Sequence, residues 1–324
     1  MNTTHKKLIS ALPPSSRGSF FSRLRQTKRG RAGYALVQLL LHSFHPIAWR
    51  VLSVAKPAGQ VHIRPEPETP PRQVREPLTI ISANLWHDWP RYRNLPQRLE
   101  SFAQVIESEH ADIVLLQEVA RTPELQVDEW LAARLGMAYV YSRANGHQQA
   151  IGFEEGLAVF SRFPLQTPYL RQLGGGENSF VRRLALGASI ETPFGNLLAV
   201  SVHLALPRRQ NALQLDRLQA WIAEIAGGQS ALIGGDFNAH ERTPQIARAR
   251  HAWLDTFHHL NPFADGTTHE LHLGGKISLR KRLDYIFLHP GQQNWNIIES
   301  RKLAFADLPF SDHQPVMARL MPSV

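Results

Sequence analysis

The strongest constraint on this chain is where its β-type apolar runs stop. TIISAN ends at Asn84, IVLLQE at Glu118, LLAVSVH at His203, and ALIGGDFN at Asp236 and Asn238. In the last quarter, RLDYIF and SDHQPV add Asp284, Asp312 and His313. Apolar strands belong in a core, so polar groups at their ends stand at its rim. Acids, amides and histidines bind hard cations and move protons, and their recurrence predicts one site assembled by a sheet.

Between these endings the pattern alternates. Strands are predicted at 78–84, 112–118, 138–142, 157–161, 180–190, 197–203, 231–236, 253–257, 283–288 and 314–320, with helices near 95–109, 125–135, 208–226 and 244–251. The consecutive strands in the middle imply antiparallel pairing, which excludes a TIM barrel or a plain doubly wound sheet. Residues 56–77 hold Pro57, Pro65, Pro67, Pro70, Pro71 and Pro77 and read as an extended linker, so a catalytic domain is expected over 78–324.

The formal charge of +9 is unevenly spread. Residues 1–65 carry eleven Lys and Arg and no acid, which leaves −2 for the rest. Binding along a polynucleotide draws on many Lys and Arg contacts, so the near-neutral body favours it weakly. With no cysteine there are no disulfides, thiolate metal sites or cysteine nucleophiles. Within a basic leader at 1–55, residues 32–49 are free of Asp, Glu, Lys and Arg and interrupted by Gln38, His42, His45 and Pro46. The stretch is about the roughly 20 residues that span a bilayer. It reads as a marginal anchor, as a helix lying on an anionic membrane surface, or as a soluble helix packed on the domain. An Arg- and Ser-rich, acid-free leader also fits a transit peptide. Membrane-associated and cytoplasmic locations both remain open.

ISANLW, LLQEV, SVHL, GGDFN, RLDYIF and SDHQPV, in that order, resemble the endonuclease/exonuclease/phosphatase (DNase I-like) superfamily over roughly residues 78–321. The resemblance implies an α/β fold: a four-layer sandwich of two stacked mixed β-sheets flanked by helices. It also implies a monomeric, Mg²⁺-dependent phosphoesterase, with Mn²⁺ able to substitute. Glu118 and Asp312 are then the expected metal carboxylates and Asn84 a neutral oxygen beside them, as suits a hard cation. Alone, Glu118 would read as a salt-bridged strand end. The glycines of GGDFN admit close approach of a substrate or strand, and period-two alternation puts Asp236 and Asn238 on one side of an extended segment. A hydrogen-bonded turn is the plain alternative for such a motif.

In the family the Asp of the DY fragment orients the His of SDH, which pairs Asp284 with His313. His203 is the second histidine, across the scissile phosphate, expected to protonate the leaving group. Asn84, Asn238 and His203 are the expected substrate contacts, and the base is Asp236 or His313.

Val200-Ser201-Val202-His203 and Ala239-His240 depart from the abasic-site endonuclease and inositol 5-phosphatase patterns. The likeness is nearest the histidine-bearing sphingomyelinase-like branch, where EEGLAVFSRFPL at 154–165 has a counterpart. A phosphodiester lipid headgroup is therefore the first expected substrate and DNA or RNA the second. For the second, Lys276, Arg280, Lys281 and Arg282 offer a cluster for a polyanion, though such a run is usually a solvated loop; Trp86, Trp89 and Tyr92 offer rings that stack on bases, lie against a lipid surface or pack at the domain edge. An inactive binding scaffold would lack ligands, and every expected position is filled.

Overall fold

Side chains alternate along a strand, so the two isoleucines of TIISAN point opposite ways. Ile80 enters a core between two sheets, and Ile81 enters a second core beneath helices. Strands buried on both faces read as continuous apolar runs, and this one does.

The computed structural model describes residues 59–70, 76–174, 181–273, 276–304 and 309–323. The leader at 1–55, with its apolar stretch, lies outside them. Among the described residues no helix is long and apolar enough to cross a membrane.

The strands are β1 (Val61–Arg64), β2 (Leu78–Asn84), β3 (Ile113–Arg121), β4 (Ala138–His147), β5 (Phe153–Ser161), β6 (Leu165–Gly174), β7 (Arg183–Thr192), β8 (Gly195–His203), β9 (Ala231–Asp236), β10 (Leu254–Asp255), β11 (His269–Leu273), β12 (Lys276–Lys281), β13 (Asp284–His289), β14 (Trp295–Lys302) and β15 (Val316–Pro322). The helices are α1 (Leu95–Ser108), α2 (Val127–Leu135), α3 (Gln148–Ile151), α4 (Arg208–Ala226), α5 (Pro244–Ala252) and α6 (Thr256–Leu260). One sheet runs β1-β4-β5-β3-β2-β15-β14, the other β10-β13-β9-β8-β7-β6, and β11 and β12 form a separate hairpin. Helices α1 and α2 cover the first sheet through Phe102, Ile106 and Leu131. Helices α4 and α5 cover the second through Leu218, Trp221 and Ile246. The result is the expected four-layer sandwich.

The described part of the Pro-rich segment, residues 59–70, does more than link. Val61–Arg64 pairs antiparallel with β4, and Leu165 donates its N–H to Pro65 O, so the fold begins upstream of Leu78. The strand expected at 253–257 stops after Asp255, whose carboxylate accepts from His258 N and starts α6.

The basic cluster before Asp284 also departs from expectation. Its residues lie on β12 and the turn after it, and Arg282 is buried, donating to Asp255 at 2.9 and 2.6 Å beneath Phe257 and Tyr285. Arg280 is paired with Glu270 and Asp265. Arg282→Met should lower the unfolding free energy by about 3 kcal/mol, because a buried carboxylate loses its partner. Arg250, 3.0 Å from Asp255, limits the loss. Urea denaturation measures this, and an unchanged midpoint would mean the pair carries no net stability.

Candidate active site

Strand register lines up half the site. His203 on β8 stands opposite Asp236 on β9, and Asp236 stands opposite Asp284 on β13, forming one row across the second sheet. The first sheet reaches this row because the sheets pack closely beneath it. A Cβ on Gly234 would lie 2.6 Å from Leu115 and 3.1 Å from Ser82, so only glycine admits that approach. Gln117 Nε2 donates to Ser201 Oγ at 3.0 Å, and Ser201 donates to Leu116 O at 2.8 Å, stapling the sheets together.

Glu118 sits where the β3–β5 register shifts, with φ of 55°. This bulge turns its carboxylate out of the ladder and into the cleft. Asn84 Nδ2 donates to Glu118 Oε1 at 3.1 Å and reaches Asp236 Oδ2 at 3.4 Å, joining the sheets at the site. Asn84 Oδ1 accepts from Trp86 N at 3.0 Å. Asn84 was expected to offer its oxygen; here its amide nitrogen faces the carboxylates and its oxygen is turned to Trp86 N.

Asn238 is corrected similarly. The strand ends at Asp236, and Asn238 has φ of 48°, so no extended segment aligns the two. Instead Asp236 Oδ1 accepts from Asn238 N at 2.8 Å in a side-chain turn. Asn238 Nδ2 donates to Leu204 O and Asp236 Oδ2, so this residue orients Asp236.

His313 Nδ1 lies 2.8 Å from Asp284 Oδ2, as the resemblance implied. Ser311 Oγ accepts from His313 N and donates to Asn84 O, fixing the histidine's loop to the end of β2. Burial alone would lower the His313 imidazole, but the charge and hydrogen bond of Asp284 outweigh it and raise the group to about 10. Burial raises the Asp236 carboxyl to about 7. The charge of Asp284 adds to the rise, while His313, Asn238 N–H and Arg183 oppose it. His203 is held well below its ordinary value, by burial first and then by the charges of Arg183, His313 and His87. Asp312 is exposed at the cleft mouth, yet its carboxyl is raised, by desolvation within the crowded site and also by the charge of Glu118.

Several residues here escaped the sequence reading. His87 Nδ1 accepts from Trp89 N at 3.0 Å, and its Nε2 faces Glu118 Oε2 at 3.4 Å. Glu155 is buried against Asn145 and feels the charges of His87 and Glu118. Arg183 Nε is buried without a hydrogen-bond partner among the described residues, and its charge reaches His203, Asp236 and Glu155. Arg98 donates to Leu85 O, Trp86 O and Phe310 O, tying together two loops of the site. The adjacent acids before Gly156 were the one available signal; His87 lies in a loop, and Arg98 and Arg183 sit on a helix and at a strand start where no strand-end pattern marks them.

Residues 81–313 match the Endonuclease/Exonuclease/phosphatase family. The chain belongs to that family. Members of the endonuclease/exonuclease/phosphatase family are phosphoester hydrolases. Solved structures agree on the fold. A family protein from Leptotrichia buccalis superposes with a TM-score of 0.63 at 19% identity, covering 75% of this chain and 99% of that one. D. rerio TDP2 complexed with a single-strand DNA product gives 0.60 at 17% identity, covering 75% and 98%. The Bacteroides thetaiotaomicron mannosyl-6-phosphatase gives 0.55 at 19%, covering 75% and 99%. Among curated proteins, the uncharacterized protein YbhP of Escherichia coli (strain K12) is 30% identical over 155 residues, 43% of this chain. The match spans 58% of YbhP, less than two thirds of its length.

Proposed function

We propose that this chain is a divalent-cation-dependent phosphodiesterase acting on a lipid headgroup. The observation that carries the reading is the convergence of the Glu118 carboxylate with the row of His203, Asp236 and Asp284 and with His313, around one cleft.

The donor set fits a hard cation: Glu118 is partly open to solvent and Asp312 exposed, leaving room for retained water and a substrate oxygen. Glu118 and Asp312 are the residues that would hold Mg²⁺, or Mn²⁺ in its place, which when bound supplies neutralising charge to the phosphoryl and leaving oxygens. Asp236, raised toward neutrality and oriented by Asn238, takes the proton of the attacking water. His313 stands as an imidazolium backed by Asp284, and its positive charge stabilises a phosphoryl oxygen. Arg183 adds a second positive charge, which reaches His203 and Asp236. Burial and the neighbouring positive charges disfavour the imidazolium form of His203, so its ring N–H offers a hydrogen bond to the leaving oxygen.

The choice of a lipid rests on the rim. Leu206, 71% exposed, lies three residues beyond His203, and exposed Pro207, Arg208 and Arg209 follow with no ion pair among the described residues. An apolar tip with basic flanks suits an anionic membrane surface, as does the basic leader at 1–55. Four of the features read for nucleic acid are engaged within the fold. Arg280 and Arg282 are paired internally, Trp86 lies between Arg93 and Arg98, and Trp89 stacks on Phe153.

The test is a panel of sphingomyelin, plasmid DNA, single-stranded RNA and bis-p-nitrophenyl phosphate with Mg²⁺, Mn²⁺ or EDTA. Cleavage of the lipid and the small diester is expected, lost in EDTA and restored by Mg²⁺. Plasmid cleavage without lipid cleavage would reject the lipid and favour the DNA chemistry of TDP2. No hydrolysis with any cation would reject the enzyme.

A further inference from the structure

His269 was not anticipated from sequence, and it packs against the site. Its ring lies 4.6 Å from that of His313, centroid to centroid, and the two residues form an antiparallel bridge. The bridge is held in place by neighbouring bonds. Gln314 N donates to Thr268 O at 2.8 Å, and Thr268 Oγ1 accepts from Leu283 N and Asp284 N. The hairpin carrying His269 is thus tied to both Asp284 and the His313 loop. One ligand atom each from His269, Asp312 and His313 lies within 4.8 Å of the others. His313 Nδ1 is engaged by Asp284, so Nε2 is its free nitrogen. The His269 ring nitrogens have no hydrogen-bond partner among the described residues.

We infer that His269, Asp312 and His313 form a second metal site that binds Zn²⁺ or a similar transition ion and switches the active site off. The inference rests on the phosphoesterase reading above and adds a regulation to it. Two imidazoles and a carboxylate are a zinc-type set, whereas Mg²⁺ is served by oxygens. Ligands about 2 Å from a tetrahedral zinc stand roughly 3.3 Å apart, so modest side-chain rotations close the trio onto an ion. A zinc ion there displaces the Nε2 proton of the His313 imidazolium to solvent and occupies that nitrogen, the one that faces the phosphoryl group. It also takes Asp312 from the Mg²⁺ site. Inhibition follows from both losses, while Glu118, Asp236 and His203 remain untouched.

The full chain is titrated with Zn²⁺ alone by calorimetry, and separately assayed for Mg²⁺-supported hydrolysis of bis-p-nitrophenyl phosphate at rising Zn²⁺. His269→Ala is expected to lose one zinc equivalent, keep Mg²⁺-supported activity within about twofold, and need at least tenfold more zinc for half inhibition. His269→Gln, which retains a polar side chain without an imidazole, should behave alike and guards against a folding defect. Unchanged zinc stoichiometry and unchanged inhibition in both variants would overturn the inference. Absence of hydrolysis with every cation would instead overturn the phosphoesterase reading, and the calorimetric comparison would still decide the zinc site.

Discussion

Glu118→Gln should lower kcat/KM on bis-p-nitrophenyl phosphate by roughly a thousandfold, with the fold intact. The substitution keeps the shape and removes the negative charge. A cation held at a phosphoryl centre is worth several kcal/mol, and each 1.4 kcal/mol is about tenfold in rate. Excess Mg²⁺ should restore little, because the lost carboxylate also fixes where the ion stands. The surroundings of Glu118 were built for that carboxylate: Asn84 Nδ2 at 3.1 Å, His87 N at 3.3 Å and His87 Nε2 at 3.4 Å all face it. Its backbone sits in the left-handed region at a bulge, a conformation glycine takes more readily. Glu118→Gly should therefore abolish activity as fully while costing little stability. Were Glu118 only a strand-end ion pair, Glu118→Gln would stay within tenfold of wild type and Glu118→Gly would lose stability.

How much of this was legible follows from burial. β2, β3, β8, β9 and β13 are buried on both faces, so their apolar runs announced them, and the site residues at their ends came with them. Of the unread strands, β1, β6 and β14 are sheet edges, and β11 and β12 form the separate hairpin. An edge strand buries little; β6 carries Pro168 and exposes much of its length, and β14 mixes polar and apolar residues without a buried face. The loops were less legible still. Trp86, Asp88, Tyr92, Asn94, Glu118 and Asn238 all have positive φ, and five of these six lie outside strands, where no hydrophobic period exists to read. That backbone decides which atom of Asn84 meets Glu118, and why Asn238 grips Asp236 instead of extending beside it. Residue types at strand ends announced the chemistry; their orientations belong to bulges and turns.

Asp236→Asn should lose between about a hundredfold and ten-thousandfold in kcat while gaining stability, and the two changes should separate along the pH axis. Ionised Asp236 is the active form. Its carboxyl is raised to about 7, so wild-type kcat/KM should climb as pH passes through 7. It should fall again near 10, as His313 loses its proton. The variant should lack the rising limb. Asn at 236 can still accept the Asn238 N–H, so the turn survives. For stability the sign follows from the same shift. A carboxyl raised above its unfolded value of about 3.9 makes the folded state lose stability as pH climbs from about 4 through 7. The amide carries no such penalty, so its advantage should be absent below pH 4 and full above 7, as denaturant midpoints across that range would reveal. A merely structural Asp236 predicts the reverse: a variant less stable at every pH, with its activity profile unchanged in shape. Loss of rate together with a gain in stability would mark Asp236 as a buried charge retained for the reaction at the expense of the fold.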